Sequence, residues 1–141
     1  MQQITIRTYR EGLQLTVPHF FILNKGINSG KPSRSPWVNC YVVFADDESV
    51  VDYYYWLCYV IWSTKSFHYY LRGSVVEFIC LRNMKACINK YYQSFSNKQV
   101  EFAQLLSLLR KMEKYEASIK SNLAVLNKNR SALMQSYLRC S

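Results

Sequence analysis

From Ser74 to Ser141 the sequence contains neither glycine nor proline, so nearly half of this 141-residue chain carries no strong helix breaker. That absence predicts a long closing helix. Within it Leu105, Leu109, Met112, Glu116, Ile119, Leu123, Leu126, Arg130, Leu133 and Tyr137 alternate strictly by four and three residues, and all but Glu116 and Arg130 are apolar. This is a heptad seam. A helix of about 35 to 40 residues runs about 55 Å, longer than so small a globule. The seam therefore predicts a projecting helix that pairs with a partner rather than one packed on its own sheet. We expect a homodimer, with Leu109, Met112, Ile119, Leu123, Leu126 and Leu133 as the dimerisation residues. An antiparallel pair would bring Glu116 and Arg130, two heptads apart, within reach of each other's copies across a crossing near Leu123.

The first half reads differently. ITIRTY alternates and predicts a half-buried strand that ends near Gly12. LQLTV is expected to continue as a hairpin until Pro18. HFFILN is short, apolar and bounded by Pro18 and a polar loop, which favours a buried strand, and WVNCYVVFA is rich in the valines and aromatics of another. DDES then supplies a helix cap and first-turn acids for VVDYYYWLCYVIWSTKSFHYYLRG, which has the length of a well-buried aromatic helix. Gly73 breaks that pattern, and SVVEFICL reads as a strand. The expected fold is α+β: a globular domain over residues 1–97, with a small mixed β-sheet and a buried aromatic helix, followed by a long coiled-coil-type helix over 98–141.

Half of the residues are hydrophobic, with twelve Tyr, seven Phe and three Trp, a composition that excludes a disordered chain. The formal charge of +9 favours an anionic partner. It is unevenly placed: residues 1–36 and 82–141 are basic, whereas the aromatic middle, 37–81, holds five acids against two bases. Cys40, Cys58, Cys80, Cys87 and Cys140 form an odd set without a C-x-x-C pair, so buried free thiols are expected rather than a zinc site or a disulfide scaffold. The start MQQITIRTYREG lacks an apolar leader core, and Val50 to Trp62 is too short to span a bilayer and contains Asp52. A cytoplasmic protein without a membrane partner is expected.

The segment NKGINSGKPSRSP, residues 24–36, has the look of a phosphate-binding loop and fails the test for one. Only three residues separate Gly26 from Gly30, Pro32 follows Lys31 where a metal-binding hydroxyl is required, and Pro36 disfavours the helix that should come next. Catalysis is no better supported. His19 and His68 have no carboxylate or cysteine at a metal or triad spacing, and Asp46, Asp47 and Glu48 are explained by the helix cap. We expect no enzyme, no cofactor and no metal. What residues 24–36 do offer is Lys25, Lys31 and Arg34 as phosphate donors, with Asn28 and Ser29 able to bond base edges. Lys65, His68 and Arg72, at the end of the aromatic helix, extend the same basic surface. A solvated polar loop would show these residues as well.

The order of parts carries a resemblance. A loop with SGKP, a strand, an acidic cap, the helix DYYYWLCYVIWSTKSFHYYL, then RGSVVEFICLRNM and a closing helix with ALMQSYL at 132–138 resembles a target recognition domain of the specificity subunit of Type I restriction-modification enzymes. The chain is also similar to small proteins of gut anaerobes and their mobile elements. The first resemblance spans roughly residues 20–140. It implies a non-catalytic module that binds double-stranded DNA and associates with a methyltransferase or restriction subunit. KACINKYYQSFSNKQVEFAQ lacks the proline-rich segment of that family, and one recognition unit is present where specificity subunits carry two, so DNA reading would need the dimer. Antiparallel pairing of the closing helices would hold two such units apart. The competing reading is a protein-interaction or inhibitory module that mimics a specificity subunit.

Overall fold

The computed structural model describes residues 4–140; residues 1–3 and 141, the outermost of the two expected segments, lie outside the described residues. The fold is α+β. Four strands, β1 (Thr5–Thr8), β2 (His19–Leu23), β3 (Pro32–Ser33) and β4 (Cys40–Phe44), form one sheet in the order β1-β4-β2-β3, and every pairing in it is antiparallel. Three α-helices follow: α1 (Glu48–Ser63), α2 (Leu81–Ser96) and α3 (Gln99–Cys140), with a 3-10 turn at Ser66–Tyr70 between the first two. By contacts the chain divides into two compact units, residues up to Gln99 and residues from Val100.

The apolar runs HFFIL and CYVVF do not alternate because the sheet is covered on both faces. Phe20 and Ile22 point to the α1 side, where Phe20 meets Tyr55 edge to face at 5.6 Å. Phe21, Cys40 and Val42 point the other way and carry a small core covered by Tyr9 and Leu15. Leu15 thus serves as a covering side chain, and 13–17 forms no strand, contrary to the hairpin expected from LQLTV. Nor do Trp37 to Asn39 join β4: the Trp37 N–H donates to the Cys40 thiol at 3.4 Å, a local turn after Pro36.

Asp47 caps α1, its carboxylate accepting the Ser49 N–H at 2.8 Å. Val50, Tyr54, Leu57, Cys58 and Ile61 recur at helical spacing and are all buried. Asp47→Ala is expected to lower stability by about 1 kcal/mol, read from the urea midpoint, and Asp47→Asn, which keeps a capping oxygen, to recover most of it.

The aromatic helix is shorter than its sequence pattern. Thr64 turns its hydroxyl back onto the carbonyls of Val60 and Ile61, at 2.8 and 3.2 Å, and Lys65 takes a left-handed conformation with φ 58°. A helix cannot pass through that residue. Beyond it, SVVEFICL is not a strand either. Gly73, at φ 103°, starts a tight turn closed by two backbone hydrogen bonds between Arg72 and Phe78, at 2.9 and 2.8 Å.

The glycine-free and proline-free tail also breaks once. α2 ends at Ser96, whose hydroxyl donates to the Gln93 carbonyl at 2.6 Å, and Asn97 caps it. Ser and Asn favour such local bonds over helix continuation. Within the first unit α2 buries Met84, Cys87 and Ile88, and Tyr92 stacks on Tyr54 of α1 at 5.4 Å. In the second unit α3, 42 residues and about 63 Å long, is exposed at every residue from Arg110 to Cys140. The seam residues Met112, Ile119, Leu123, Leu126 and Leu133 are therefore exposed, and Leu109 is half-buried. Among the described residues no helix is long and apolar enough to cross a membrane.

Candidate nucleic-acid interface

Residues 24–31 are a built turn rather than a slack loop. The Gly30 N–H donates to the Leu23 carbonyl at 2.7 Å and the Leu23 N–H to the Lys31 carbonyl at 3.0 Å, so β2 and β3 close across it. Inside, the Ser29 and Lys31 N–H groups donate to the carbonyls of Gly26 and Asn28. Ser29 itself is buried, and its hydroxyl donates to the Gly26 carbonyl at 2.7 Å. It is a structural member of the turn and does not face a ligand.

The turn is then stitched to the segment after α1. Gly26 N–H donates to the Glu77 carbonyl at 2.7 Å, and Ile79 N–H to the Asn24 carbonyl at 2.9 Å. Lys25 and Arg72 both bridge to Phe78. Fully buried Phe67, from the 3-10 turn, lies against the Cα of Gly30, where an added Cβ would sit 2.3 Å from its ring. Two basic positions far apart in sequence, Lys25 and Arg72, thereby come to lie on either side of one residue, Phe78. Lys31 joins the ring of Trp62 at the end of α1, its ammonium 5.2 Å from the centroid, and Lys65 follows three residues later. Lys25, Asn28, Lys31, Lys65, His68 and Arg72 are all exposed.

Arg34 is placed differently. Its guanidinium lies 3.8 Å from the centre of the Tyr55 ring and 3.3 Å from the Asp52 carboxylate. Tyr55 precedes Trp62 by about 10 Å along the α1 axis. Arg34 is thus held on a separate part of α1, beside an open cleft of about 450 Å³ that also takes in His19, Glu48 and Asp52. It does not join Lys25 and Arg72.

The basic residues share their end of the fold with apolar ones that the sequence did not single out. Ile27 is 87% exposed and Val75 93%, and Val76 and Phe78 are also exposed. All four belong to the two segments stitched together above. The Gly73-Ser74 pair was the signal for this turn, since a glycine at such a site starts a reversal as readily as it ends a helix.

Chemistry elsewhere is muted. Burial pushes the Cys58 thiol up, and the Cys87 thiol up to about 12, the positive charge of Lys90 opposing the latter, so both are neutral thiols at physiological pH. Among the described residues no three His, Cys, Asp or Glu side chains gather where they could hold a metal.

A model described as "Family of unknown function (DUF6943)" matches residues 6–136. No curated protein and no solved structure matches the chain.

Proposed function

The chain belongs to this family of unknown function, and from that premise we propose that it is a non-catalytic DNA-binding module whose contact surface is the end of the fold formed by residues 24–31 and 65–78. The observation that carries the reading is the shared bridging of Lys25 and Arg72 to Phe78, which sets cations from two distant segments on one rigid frame. Lys31, over the Trp62 ring, and exposed Lys65, three residues beyond Trp62, would extend that surface. Lys25, Lys31, Lys65 and Arg72 supply phosphate contacts, which fix position without reading sequence. Asn28 and His68 are the side chains that can address base edges. Pre-ordering limits the entropy lost on binding, because the frame is closed by backbone hydrogen bonds before any ligand arrives.

The test is duplex binding as a function of salt. Lys25→Gln, Lys31→Gln and Arg72→Gln combined are expected to weaken binding and to reduce the slope of log affinity against log salt by up to about three units, close to one per lost phosphate contact. An unchanged slope assigns these side chains to solvent.

A second reading rests on Ile27, Val75, Val76 and Phe78, an exposed apolar group unlike a phosphate-facing surface. On that reading the same end docks a protein that offers an apolar contact and acidic side chains. Ile27→Ser with Val75→Ser separates the two: salt-dependent duplex binding is retained if DNA is the ligand.

A further inference from the structure

We infer that α3 pairs with α3 of a second copy of this chain, antiparallel, with Ile119 facing the partner's Leu123 and the twofold axis passing near Ser121. This surface is remote in sequence from the DNA-binding reading and does not rest on it. Three observations carry it.

The first is the seam itself. Every residue from Arg110 to Cys140 is exposed, yet Met112, Ile119, Leu123, Leu126 and Leu133 fall on one line whose steps, with Glu116 and Arg130 included, alternate between three and four. A mean step of 3.5 residues matches a supercoiled helix partner, whereas the face presented to a flat sheet or a lipid surface follows the 3.6 of a straight helix. From Leu105 to Tyr137 the seam runs more than four heptads, the length over which such pairing is sustained.

Charge gives the direction. The seam has two polar positions, Glu116 and Arg130, and both occupy the same heptad position, a, when Met112 and Ile119 are placed at d. In a parallel, in-register pair each would face its own copy, so two carboxylates would meet in one layer and two guanidinium groups in another. Like charges set face to face in a seam oppose pairing. Antiparallel pairing removes both clashes.

Layering then fixes the register, because in an antiparallel pair an a-type residue lies opposite a d-type one. With Ile119 opposite the partner's Leu123, every seam position from Leu105 to Tyr137 meets a seam position. Sliding by one heptad leaves Leu105 and Leu109 without seam partners in one direction, and Leu133 and Tyr137 in the other. In the chosen register Glu116 faces the partner's Leu126, and the next layer sets Met112 against the partner's Arg130. Glu116 and the partner's Arg130 are then one helical turn apart and of opposite sign. On its own helix Glu116 also pairs with Lys120, at 2.6 Å, and both side chains are largely exposed, so this pair can adjust when a guanidinium approaches.

Two measurements on the full chain test this. Cys140 is exposed at the end of α3, and Cys80, the half-buried thiol at the N-cap position of α2, is replaced by Ser, a residue favoured at that position. Nitroxides on Cys140 are expected to lie about 57 Å apart, from 19 residues of helix on either side of Ser121. A parallel pair would bring them to about the 8–10 Å between packed helix axes, plus the label arms, and would overturn the proposal. Sedimentation equilibrium without DNA is expected to show a dimer at micromolar concentration, and a monomer there overturns it too. Glu116→Arg is expected to weaken the dimer about tenfold or more by setting Arg beside the partner's Arg130, and adding Arg130→Glu to restore it. Failure of that restoration overturns the register.

Discussion

Gly30→Ala is expected to lower the unfolding free energy by about 3 kcal/mol or more. Two contributions combine. Gly30 has φ 92°, a conformation that side-chain-bearing residues adopt at a penalty of about 1 to 2 kcal/mol. Its Cβ would also sit 2.3 Å from Cδ2 and 2.7 Å from Cγ of Phe67, a ring enclosed on all sides. Neither group can yield without moving the frame, and such overpacking costs about 1 to 3 kcal/mol. Gly12 supplies the control: its φ is 88°, and nothing lies within 4 Å of its added Cβ. Gly12→Ala should show the backbone contribution alone. Urea midpoints that fall equally for the two variants would mean that Phe67 is free to move aside.

Ile119→Glu combined with Leu123→Glu is expected to abolish self-association, leaving by light scattering at about 10 μM a particle of the 16.7 kDa chain mass where the unaltered chain gives twice that. Under the inferred pairing the two layers around the twofold axis hold four of these side chains. Each burial of such a side chain contributes about 1.5 to 3 kcal/mol, and four carboxylates would now crowd one point. A loss beyond about 4.2 kcal/mol corresponds to more than a thousandfold in dissociation constant. Helicity should persist, because Ile119 and Leu123 are 65% and 54% exposed in the single chain. A change in far-ultraviolet dichroism as large as that from unfolding α3 would point to an internal role for them instead.

The elements legible in the sequence are those whose residues answer to one dominant force. HFFIL and CYVVF announce strands because burial on both faces allows only apolar side chains, and Asp47 announces a helix because the cap is a local hydrogen bond. The length of α3 is legible because neither glycine nor proline interrupts it. Less legible were the places where tertiary contacts decide. Lys65 gives no hint of a left-handed conformation, since Lys has no preference for it, and α1 ends there all the same. Val75 and Val76 have strong strand propensity, yet Gly73 and the Arg72–Phe78 bonds place them on a turn. The basic residues divided similarly. Lys25 and Arg72 both bridge to Phe78 and Lys31 reaches the Trp62 ring, but Ser29 was drawn inside by its hydrogen bond to Gly26, and Arg34 is held by the Tyr55 ring and Asp52. A string of polar residues does not reveal which members the turn will use for itself.

The strand order carries a consequence for how the protein is made. β1 pairs with β4, and although Thr8 and Tyr41 are opposite each other in the ladder, 32 residues lie between them. At a synthesis rate of about 5 to 20 residues per second, the first strand waits roughly 2 to 6 s before its partner exists. Closing so long a loop carries an entropic penalty near 3 kcal/mol, from the logarithmic dependence on its length. β2 and β3 need only the short turn between Ile22 and Pro32 and can join within microseconds of leaving the ribosome. β4 meets β2 across the 16 residues between Leu23 and Cys40, half the span that separates it from β1, so loop entropy favours the β2 pairing by about 0.6 kcal/mol. Of the four strands, the one that is made first is the one whose pairing spans the longest loop.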